Sequence, residues 1–467
     1  MRAKLHIKSE KSYTTYGGLY FILRDAKFRE ILRLADQMLG GEKRRGGGFA
    51  YSEVIKVLFC GILTGATCIE DTNNLRPEFE AQEGIKAMSA DTVLRMFARL
   101  SGGVEEVSSG KPEESGEAKR YKFVRNGVLN DFLFKSLLLT SDYKAGQRVT
   151  FDYDNQIIGT EKWDAKRTYK EYPGYCNGIA FMDGMPCYIE GRDGNAPVKF
   201  DQARTLKEAF GRIKKEGLIV SEATMDAGSY SQECIKVVAE NAERFYIRAN
   251  NTTYVRSLVE DSTEGWRKVK IGKDKREHEV RSLDFDNFLE KEHYRLVVYR
   301  IKNRCRSEKE EKREALRGLS EEMEELNKAS RYRFFCILTN DRAHTEEEII
   351  EIYNRRGKVE KVFDQMNNDF NWSHLPSSFL ENNVVFMILT AVLRNFYTYF
   401  VRNLARVTKG AIKATSRVKA FIFNFITCHT EWRYTPKRRL NLSFYNPKPA
   451  LEQFVRRRQG QKILEPF

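Results

Sequence analysis

Three acidic residues stand at positions where their side chains can converge for chemistry. Asp152 lies in Arg148–Asp154, where apolar and polar residues alternate, so it faces the polar side of a predicted strand. Asp226 follows a second predicted strand, and Glu360 lies on a predicted helix. Clustered carboxylates repel one another unless a cation neutralises them, and ligand sets made only of oxygen favour Mg²⁺ or Mn²⁺. Two such ions can activate a hydroxyl and stabilise the leaving oxygen of a phosphodiester.

Each acid also has an ordinary structural interpretation. Asp226 precedes Ala-Gly-Ser, where an Asx-turn or a helix cap is expected. Asp152 can pair with a buried arginine, and Glu360 can be one of many partners on a helix surface. Taken singly, these alternatives stay open. Three such coincidences in one basic chain are less expected than a shared site.

The third acid lies on a stretch that predicts a single helix, Thr345–Asp369, opened by a capping box of Thr345 and Glu348. Spacings of three, four and seven residues put four side chains on one face of this helix. They are Tyr353, Arg356, Glu360 and Asn367. A carboxylate in so basic a setting either neutralises its neighbours or holds a metal beside a phosphate chain.

The elements that position these acids predict a mixed α/β sheet. The strand candidates are Arg148–Asp154, Tyr175–Met182, Pro186–Glu190, Leu218–Met225 and Phe245–Asn250, with helices at Asp201–Glu216 and Ser231–Asn241. A β-rich stretch follows, with strands predicted at Trp266–Ile271, His278–Leu283, Tyr294–Ile301 and Tyr332–Thr339 and a charged helical excursion at 307–328. The three acids meet only if this stretch is an insertion.

Composition shifts predict the division of the chain. The predicted parts are a helical N-terminal DNA-binding region (1–101), a linker rich in Gly, Ser and Glu (102–119), the first part of the core (120–250), a β-rich insertion (251–340), a core helix with the third acid (341–375) and a basic helical C-terminal region (376–467). A helix is predicted at Tyr121–Leu139, and short strands near Phe421–Thr427 and Leu440–Tyr445.

The overall charge favours a polyanionic partner. The chain has 80 Lys and Arg against 65 Asp and Glu, a formal net charge of +15, and a positive field attracts phosphate. Eight cysteines without a CxxC pair argue against a zinc site and a disulfide framework. The N-terminus lacks a signal peptide, and Val384–Phe400 is interrupted by Arg394 and Asn395, which indicates a buried helix rather than a membrane span. We therefore expect a cytoplasmic protein without a membrane partner.

The strongest local nucleic-acid signal lies near the C-terminus. Residues 402–439 carry ten Lys or Arg against one acid, with aromatic residues interleaved. Lys437, Arg438 and Arg439 are the predicted phosphate contacts. A solvated basic surface without a partner remains the alternative.

Several motifs together resemble the DDE transposases of bacterial insertion sequences, in the branch with a long β insertion between the second Asp and the Glu. The motifs are Val149-Thr-Phe-Asp-Tyr-Asp, Gly174-Tyr-Cys-Asn-Gly with Arg192-Asp-Gly-Asn, Met225-Asp-Ala-Gly-Ser-Tyr, Tyr332–Asn340 and Tyr353-Asn-Arg-Arg-Gly-Lys-Val-Glu. Gly61–Leu100 is similar to the N-terminal region of that group. The spacing of Tyr, Arg and Glu on the last helix is the most specific of these signals.

The resemblance implies an RNase H-like mixed-sheet core, interrupted by the β-rich insertion and flanked by helical N-terminal and C-terminal regions. Asp152, Asp226 and Glu360 would bind two Mg²⁺ ions, with Mn²⁺ as a substitute. The implied enzyme cuts the double-stranded DNA of element ends, transfers the 3′ strands to target DNA as a homodimer, and works in the bacterial cytoplasm at the nucleoid. A domesticated nuclease and a non-catalytic DNA-binding protein are the alternatives.

The resemblance also suggests DNA contacts for side chains around the acids. Tyr353 is the one plausible nucleophile on this helix face but is expected instead to orient a phosphate or to pack, and Arg356 would meet a phosphate. Trp266 of the insertion is the candidate to hold a flipped base, with a core tryptophan as the alternative. The family pattern has Lys seven residues after the Glu, where this chain has Asn367. Asn367 can donate a hydrogen bond without a charge, and Lys361 is the neighbouring substitute.

Overall fold

The computed structural model describes the chain in ten stretches. They are residues 12–40, 48–82, 84–112, 118–250, 252–260, 265–272, 276–286, 293–302, 332–434 and 440–460. The predicted helical excursion at 307–328 lies outside these residues.

Strands and helices, joined by loops and turns, occur throughout the described residues. The strands are β1 (Tyr13–Thr14), β2 (Glu105–Pro112), β3 (Ala118–Val124), β4 (Arg148–Gly159), β5 (Lys166–Arg167), β6 (Pro173–Met182), β7 (Met185–Arg192), β8 (Ile219–Met225), β9 (Ala242–Arg248), β10 (Arg267–Ile271), β11 (Arg276–Phe285), β12 (Tyr294–Lys302), β13 (Tyr332–Thr339), β14 (His429–Tyr434) and β15 (Leu440–Tyr445). The helices are α1 (Leu19–Leu23), α2 (Ala26–Leu39), α3 (Tyr51–Leu63), α4 (Asp71–Asn74), α5 (Arg76–Glu80), α6 (Ala90–Leu100), α7 (Gly127–Leu139), α8 (Gln202–Lys215), α9 (Gln232–Asn241), α10 (Thr253–Glu260), α11 (Glu346–Asn354), α12 (Gly357–Asp369), α13 (Leu380–Val407), α14 (Val418–Phe421) and α15 (Pro449–Gly460).

The centre of the large sheet has the order β7-β6-β4-β8-β9. Strands β4, β6 and β7 pair antiparallel, while β8 and β9 run parallel to β4. Three antiparallel strands followed by two strands parallel to the first form the RNase H-like arrangement that the resemblance implies. Alternation along β4 sets the two faces: Val149, Phe151 and Tyr153 enter the core beneath α8 and α9, and the polar residues between them face the other side. The predicted fold class is confirmed.

The β-rich stretch continues the same sheet. Strand β13 pairs antiparallel with β9, and β12, β11 and β10 follow in order, so that β10 forms the far edge. The four strands predicted here are all present. Helix α11 covers this extension through Ile349, Ile352 and neighbouring apolar residues, which pack on β9 to β13.

The predicted single helix at Thr345–Asp369 is wrong in one respect, because it consists of α11 and α12 with a turn between them. The capping box of Thr345 and Glu348 is present at the start of α11. At the junction the amides of Arg356 and Val359 bond to carbonyls three residues earlier, which tightens the backbone. The break falls directly before Gly357, a residue with low helix propensity.

Two predicted segments are corrected. Within the supposed linker, Glu105–Pro112 and the start of Ala118–Val124 are strands, and Ala118–Val124 also takes in the start of the supposed helix. These strands form the ribbon β2–β3, which joins the edge of the sheet through β7. Polar strands pair here because ladder hydrogen bonds need no apolar side chains. The strand predicted near Phe421–Thr427 is helical, ending in a π-helical turn, Ile422–Ile426, because Phe421 and Phe425 stack at helical spacing.

The two ends of the chain pack together. Strand β1 pairs with β14, and one apolar core joins α2, α3 and α6 to the long helix α13. Among the described residues, α13 is the one helix long and apolar enough to cross a membrane, and 89% of its most apolar stretch is buried in the protein. This confirms the predicted buried helix at Val384–Phe400.

Candidate active site

The register between β4 and β8 decides which acids lie side by side. Asp152 pairs with Thr224, and Tyr153 pairs with Met225 at the end of β8. The next residue of each strand is Asp154 and Asp226, so these two carboxyl groups lie level with each other at the carboxyl edge of β8. Asp152 and Asp154 point to the same face because they are two residues apart. The acid predicted on β4 is Asp152, whereas Asp154 is the residue of β4 that lies level with Asp226.

Asp152 has a local partner on the neighbouring strand. The Thr224 hydroxyl donates a hydrogen bond to its carboxylate. Burial raises the pKa of Asp152 above its ordinary value, although this hydrogen bond and the positive charge of Arg356 oppose the shift. Asp152 is therefore a partly buried carboxyl whose hydrogen bond ties β4 to β8.

Asp154 is affected by the charges of Arg356, Asp226 and Glu360. A guanidinium nitrogen of Arg356 lies 2.6 Å from its carboxylate. Burial raises the pKa of Asp154 to about 6; Arg356 opposes the shift, while the negative charges of Asp226 and Glu360 add to it. Asp226 and Glu360 are therefore the two acids whose charges raise the pKa of Asp154.

Asp226 lies in the tight turn that follows β8. Its carboxylate accepts a hydrogen bond from the Gly228 amide at 2.9 Å and caps the 3₁₀ turn Ala227–Ser229. The turn-capping interpretation is therefore correct, and it is compatible with a second role because the cap fixes the carboxylate at the strand end.

Arg356 sits between the acids, at the start of α12. Burial lowers its pKa, but Asp154 and then Asp226 outweigh that effect, so that the pKa of Arg356 is raised. Its Nε is buried without a hydrogen-bond partner among the described residues. The guanidinium thus neutralises part of the negative charge of the acids.

Glu360 lies in the first turn of α12 and is exposed, as are Lys358 and Lys361 beside it. Within the described part of the chain, no ion pair joins Glu360 to a basic side chain. The alternative of Glu360 as a surface ion-pair partner is therefore absent here. A solvent-facing carboxylate near the partly buried Asp154 leaves the site open on the side of α12.

Asn367 ties α12 to strand β4. Its side-chain oxygen accepts a hydrogen bond from the Gln156 amide at 2.7 Å, and Gln156 lies one pleat beyond Asp154 on the same face of β4. The residue that replaces the family lysine therefore bonds to the sheet.

Tyr353 is a packing residue in this structure. Its ring is buried in the core between α11 and the sheet extension, together with Tyr246 and Ile337. Burial raises the pKa of Tyr353 to about 12. The phenol is therefore protonated at neutral pH, which disfavours a role as nucleophile.

The remaining predicted DNA contacts lie elsewhere. Trp266 precedes the edge strand β10, its ring is covered by the Arg300 guanidinium at 4.0 Å, and it packs against the core on the face opposite α11. Since β10 is six strands from β4 in the sheet, the ring is about 25–30 Å from the acids. Lys437, Arg438 and Arg439 lie outside the described residues.

The donor set at β4, β8 and α12 fits a hard divalent cation. All candidate ligands are carboxylate oxygens. Burial is the main cause of the raised pKa of Asp154, and the negative charges of Asp226 and Glu360 add to it. In the stretches that the structure describes, no three His, Cys, Asp or Glu side chains are already arranged around a common metal position. Arg356 occupies part of the space between them.

The comparisons with known proteins address this part of the chain. Residues 201–396 match the family model described as a transposase DDE domain. The match contains Asp226 and Glu360 and begins after β4. No curated protein matches the chain.

Solved structures with a similar chain include a piggyBac transposase, determined by cryo-EM as a synaptic complex with hairpin DNA. Its TM-score is 0.42 with 12% sequence identity, over 88% of this chain and 80% of that chain.

The family match confirms the predicted resemblance to DDE transposases over residues 201–396. It does not address the bacterial branch, so that assignment stays a prediction.

Proposed function

We propose that this protein is a DNA transposase that cleaves the ends of an insertion sequence and transfers the 3′ strands to target DNA. The observation that carries the proposal is the meeting of Asp154, Asp226 and the helix of Glu360 on one face of an RNase H-like sheet, with a transposase DDE domain matched over residues 201–396. Such a domain implies polynucleotidyl transferase or nuclease activity, and both reactions act on the phosphodiester bonds of DNA.

The acids of the proposed site are Asp226, Glu360 and one of the two carboxyl groups on β4. Asp154 is favoured over the predicted Asp152, because Asp154 is level with Asp226 and its charge responds to both other acids. The Asp152 carboxylate, by contrast, already accepts a hydrogen bond from the hydroxyl of Thr224. Asp152 then has a supporting role beneath the site.

Two Mg²⁺ ions, or Mn²⁺ as a substitute, are the proposed cofactors; when bound by these carboxylates they would activate the attacking hydroxyl and neutralise the leaving oxygen. The chain itself supplies rigid positions for the carboxylates. Asp226 is fixed by its cap on Gly228, and α12 is fixed to β4 through Asn367 and Gln156. Arg356 balances the charge of Asp154 and is a candidate to orient a DNA phosphate beside it.

The proposed substrate is double-stranded DNA. The protein would bind it as a homodimer that bridges two element ends, and would work in the bacterial cytoplasm at the nucleoid. Lys358 and Lys361 are exposed beside Glu360 and supply positive charge where a phosphate backbone would pass. The basic C-terminal region would extend this contact. Neutralising Lys437, Arg438 and Arg439 together should lower the affinity for all DNA sequences alike. The slope of log K against the logarithm of the salt concentration should become shallower by about three. A sequence-selective loss in a binding titration would contradict that assignment.

The test of the proposal is cleavage of the DNA that flanks the gene, in particular any short inverted repeats. We expect Mg²⁺-dependent nicking at the repeat ends that disappears in Asp226→Ala and Glu360→Ala. Retained nicking in both variants would remove the site assignment. Ser221→Ala, on the same strand as the Asp226 turn, is the matched control and should cut like the wild type.

Strand joining separates the transposase from the alternatives. Incubation of cleaved ends with a target plasmid should yield joined products. Cleavage without joining would favour a domesticated nuclease, and tight binding with neither product would favour a non-catalytic DNA-binding protein.

A further inference from the structure

The loop between β4 and β6 presents large aromatic rings to solvent. Trp163 is 85% exposed, Tyr169 71% and Tyr172 40%. Aromatic rings usually gain free energy by burial, so three exposed rings in a loop of thirteen residues (160–172) indicate a surface made for contact. None of these residues belongs to the proposed acid site. We call these three rings the aromatic platform.

The backbone beneath the aromatic platform is fixed. The Asp164 carboxylate accepts the Leu380 amide at the start of α13 at 2.9 Å and also a hydrogen bond from the Tyr175 hydroxyl. The buried Thr168 hydroxyl donates to the Tyr172 carbonyl at 2.9 Å. Strand β5, inside the loop, pairs with the start of β6. A loop held in this way presents its rings without a large loss of conformational entropy on binding.

The charges between the rings favour a nucleic acid. Four basic residues alternate with the aromatic ones: Lys162, Lys166, Arg167 and Lys170. Of the three acids in the loop, Asp164 is engaged by α13 and β6, which leaves Glu161 and Glu171 toward solvent. Aromatic rings interleaved with lysines and arginines are typical of surfaces that track a phosphate backbone and stack its bases. An interface between two copies of the chain is disfavoured, because lysine is depleted at protein–protein interfaces.

The aromatic platform lies within reach of a DNA strand at the acids. Strand β4 continues five residues beyond Asp154, from Asn155 to Gly159, and at the rise of a β-strand this is about 17 Å. That length corresponds to about five base steps of a DNA strand at 3.4 Å each. A strand whose phosphate meets the acids can therefore place its bases on the loop.

We propose that the aromatic platform binds unpaired DNA by stacking bases on Trp163 and Tyr169. The bases of an intact duplex cover one another's faces and offer only their edges in the grooves, so ring stacking selects single-stranded segments. The occupant is a single strand that leaves the acid site, as cleavage next to a duplex end produces. This inference rests on the proposed function.

Binding of a fluorescein-labelled oligothymidylate of about 20 nucleotides, measured by fluorescence anisotropy against a duplex of equal length, tests the aromatic platform. The double variant Trp163→Ala/Tyr169→Ala should bind the single strand at least about tenfold more weakly, because each stacked base contributes by about that factor or more. Duplex affinity should stay within about twofold. Trp163→Phe keeps a ring and should retain most of the affinity. Tyr254→Ala, an exposed ring on α10 at 52%, is the matched control and should bind like the wild type.

Tryptophan fluorescence gives a second, independent readout. The chain has four tryptophans, of which Trp372 is fully buried and Trp266 is covered by Arg300. The single strand should quench the emission of the exposed Trp163, and the quench should be lost in Trp163→Phe. Unchanged single-strand affinity in the double variant, or an equal loss for both DNA forms, would overturn the proposal. So would a change from dimer to monomer in sedimentation without a change in DNA affinity.

The outcome is separable from that of the proposed function. If Trp163→Ala/Tyr169→Ala binds single strands like the wild type while Glu360→Ala loses cleavage, only the aromatic platform fails. If the rings are needed for single-strand binding but no DNA is cut under any condition, the transposase assignment fails and the binding surface stands.

Discussion

Helices α11 and α12 lie in succession over the same face of the sheet, and both begin with acidic residues, but the surroundings of these acids differ. At the start of α11, Glu346 lies 2.8 Å from Arg267 and 2.9 Å from Arg295 and accepts a hydrogen bond from Ser282. At the start of α12, Glu360 is exposed and, among the described residues, forms no ion pair. The same residue type thus fastens one helix to the sheet and stays available on the next.

This difference suggests that Glu346 anchors its helix to the sheet, whereas Glu360 is free to take part in the proposed reaction. Paired carboxylates such as Glu346 lower the energy of the folded state and have no capacity left for a ligand. Glu360 stabilises little, yet it stands beside Asp154, whose pKa is raised to about 6. The proposed cation would bind among carboxylates whose negative charge Arg356 neutralises only in part.

The largest effect should come from Glu360. Glu360→Ala should lower the rate of DNA cleavage by at least about a thousandfold, because a proposed ligand of the catalytic metal ions is lost. Glu351→Ala, at an exposed glutamate of α11, should cut at the rate of the wild type. Single-turnover gel assays measure both rates. Equal rates for the two variants would remove the distinction between the helices.

A smaller effect, on stability, should come from Glu346. Glu346→Ala should lower the free energy of unfolding by about 2 kcal/mol, because Arg295 loses its charged partner. Urea denaturation measures this, with Glu360→Ala as the control that should unfold like the wild type. A larger loss of stability from Glu360→Ala would contradict the assignment of anchoring to α11.

The pH dependence of the Glu346 contribution has a defined sign. Although burial opposes it, hydrogen bonds from Ser282 and Arg267 lower the pKa of Glu346 to about 2 in the folded state, from an ordinary value of 4.5. The ionised form therefore stabilises the fold. This contribution is complete above pH 4.5 and is lost as the pH falls toward 2. The difference in unfolding free energy between wild type and Glu346→Ala should shrink over that range.

Tyr353 should have a modest effect on the reaction. Tyr353→Phe keeps the buried ring, and the phenol is protonated at neutral pH because burial raises its pKa to about 12. We expect cleavage within about tenfold of the wild type, the range of one lost hydrogen bond to a phosphate. Abolished cleavage together with an intact fold by circular dichroism would instead indicate a covalent role for the hydroxyl.

The smallest effect should come from Asn367. Asn367→Lys gives up the bond to Gln156 but supplies the charge that the family pattern has at this position. DNA affinity at low salt should rise by a few fold, and the slope of log K against log salt should steepen by about 0.9, as for one added phosphate contact. Asn368→Lys, on the exposed side of the same helix turn, is the control. An equal gain in both variants would mean a general charge effect.

Local patterns in the sequence predicted the elements of the site well. The alternation along Arg148–Asp154 gave the polar face of β4, and the capping box gave the start of α11. The choice between Asp152 and Asp154 was beyond such patterns, because both share that face. It depends on the register between β4 and β8, which pairs residues that are distant in sequence.

Amino-acid composition gave the wrong secondary structure in two segments, the predicted linker at 102–119 and the predicted strand near Phe421–Thr427. The Gly, Ser and Glu content of 102–119 indicates a flexible segment, yet its described residues pair as a ribbon through main-chain hydrogen bonds. The alternating phenylalanines at 421–425 fit a strand as well as a helix, and burial of Phe421 and Phe425 on one side selects the helix. The exposed Trp163 carried no signal in the sequence, because exposure is a property of the fold.

The most direct test of the central claim is the affinity for Mn²⁺, measured by isothermal titration calorimetry on the full chain without DNA. Asp154→Asn should weaken binding by at least about tenfold, as expected for a lost charged ligand, while Asp152→Asn, one pleat away on the same strand, should bind like the wild type. The opposite order, or equal affinity in wild type and Asp154→Asn, would contradict the assignment of Asp154 to one cation site with Asp226 and Glu360.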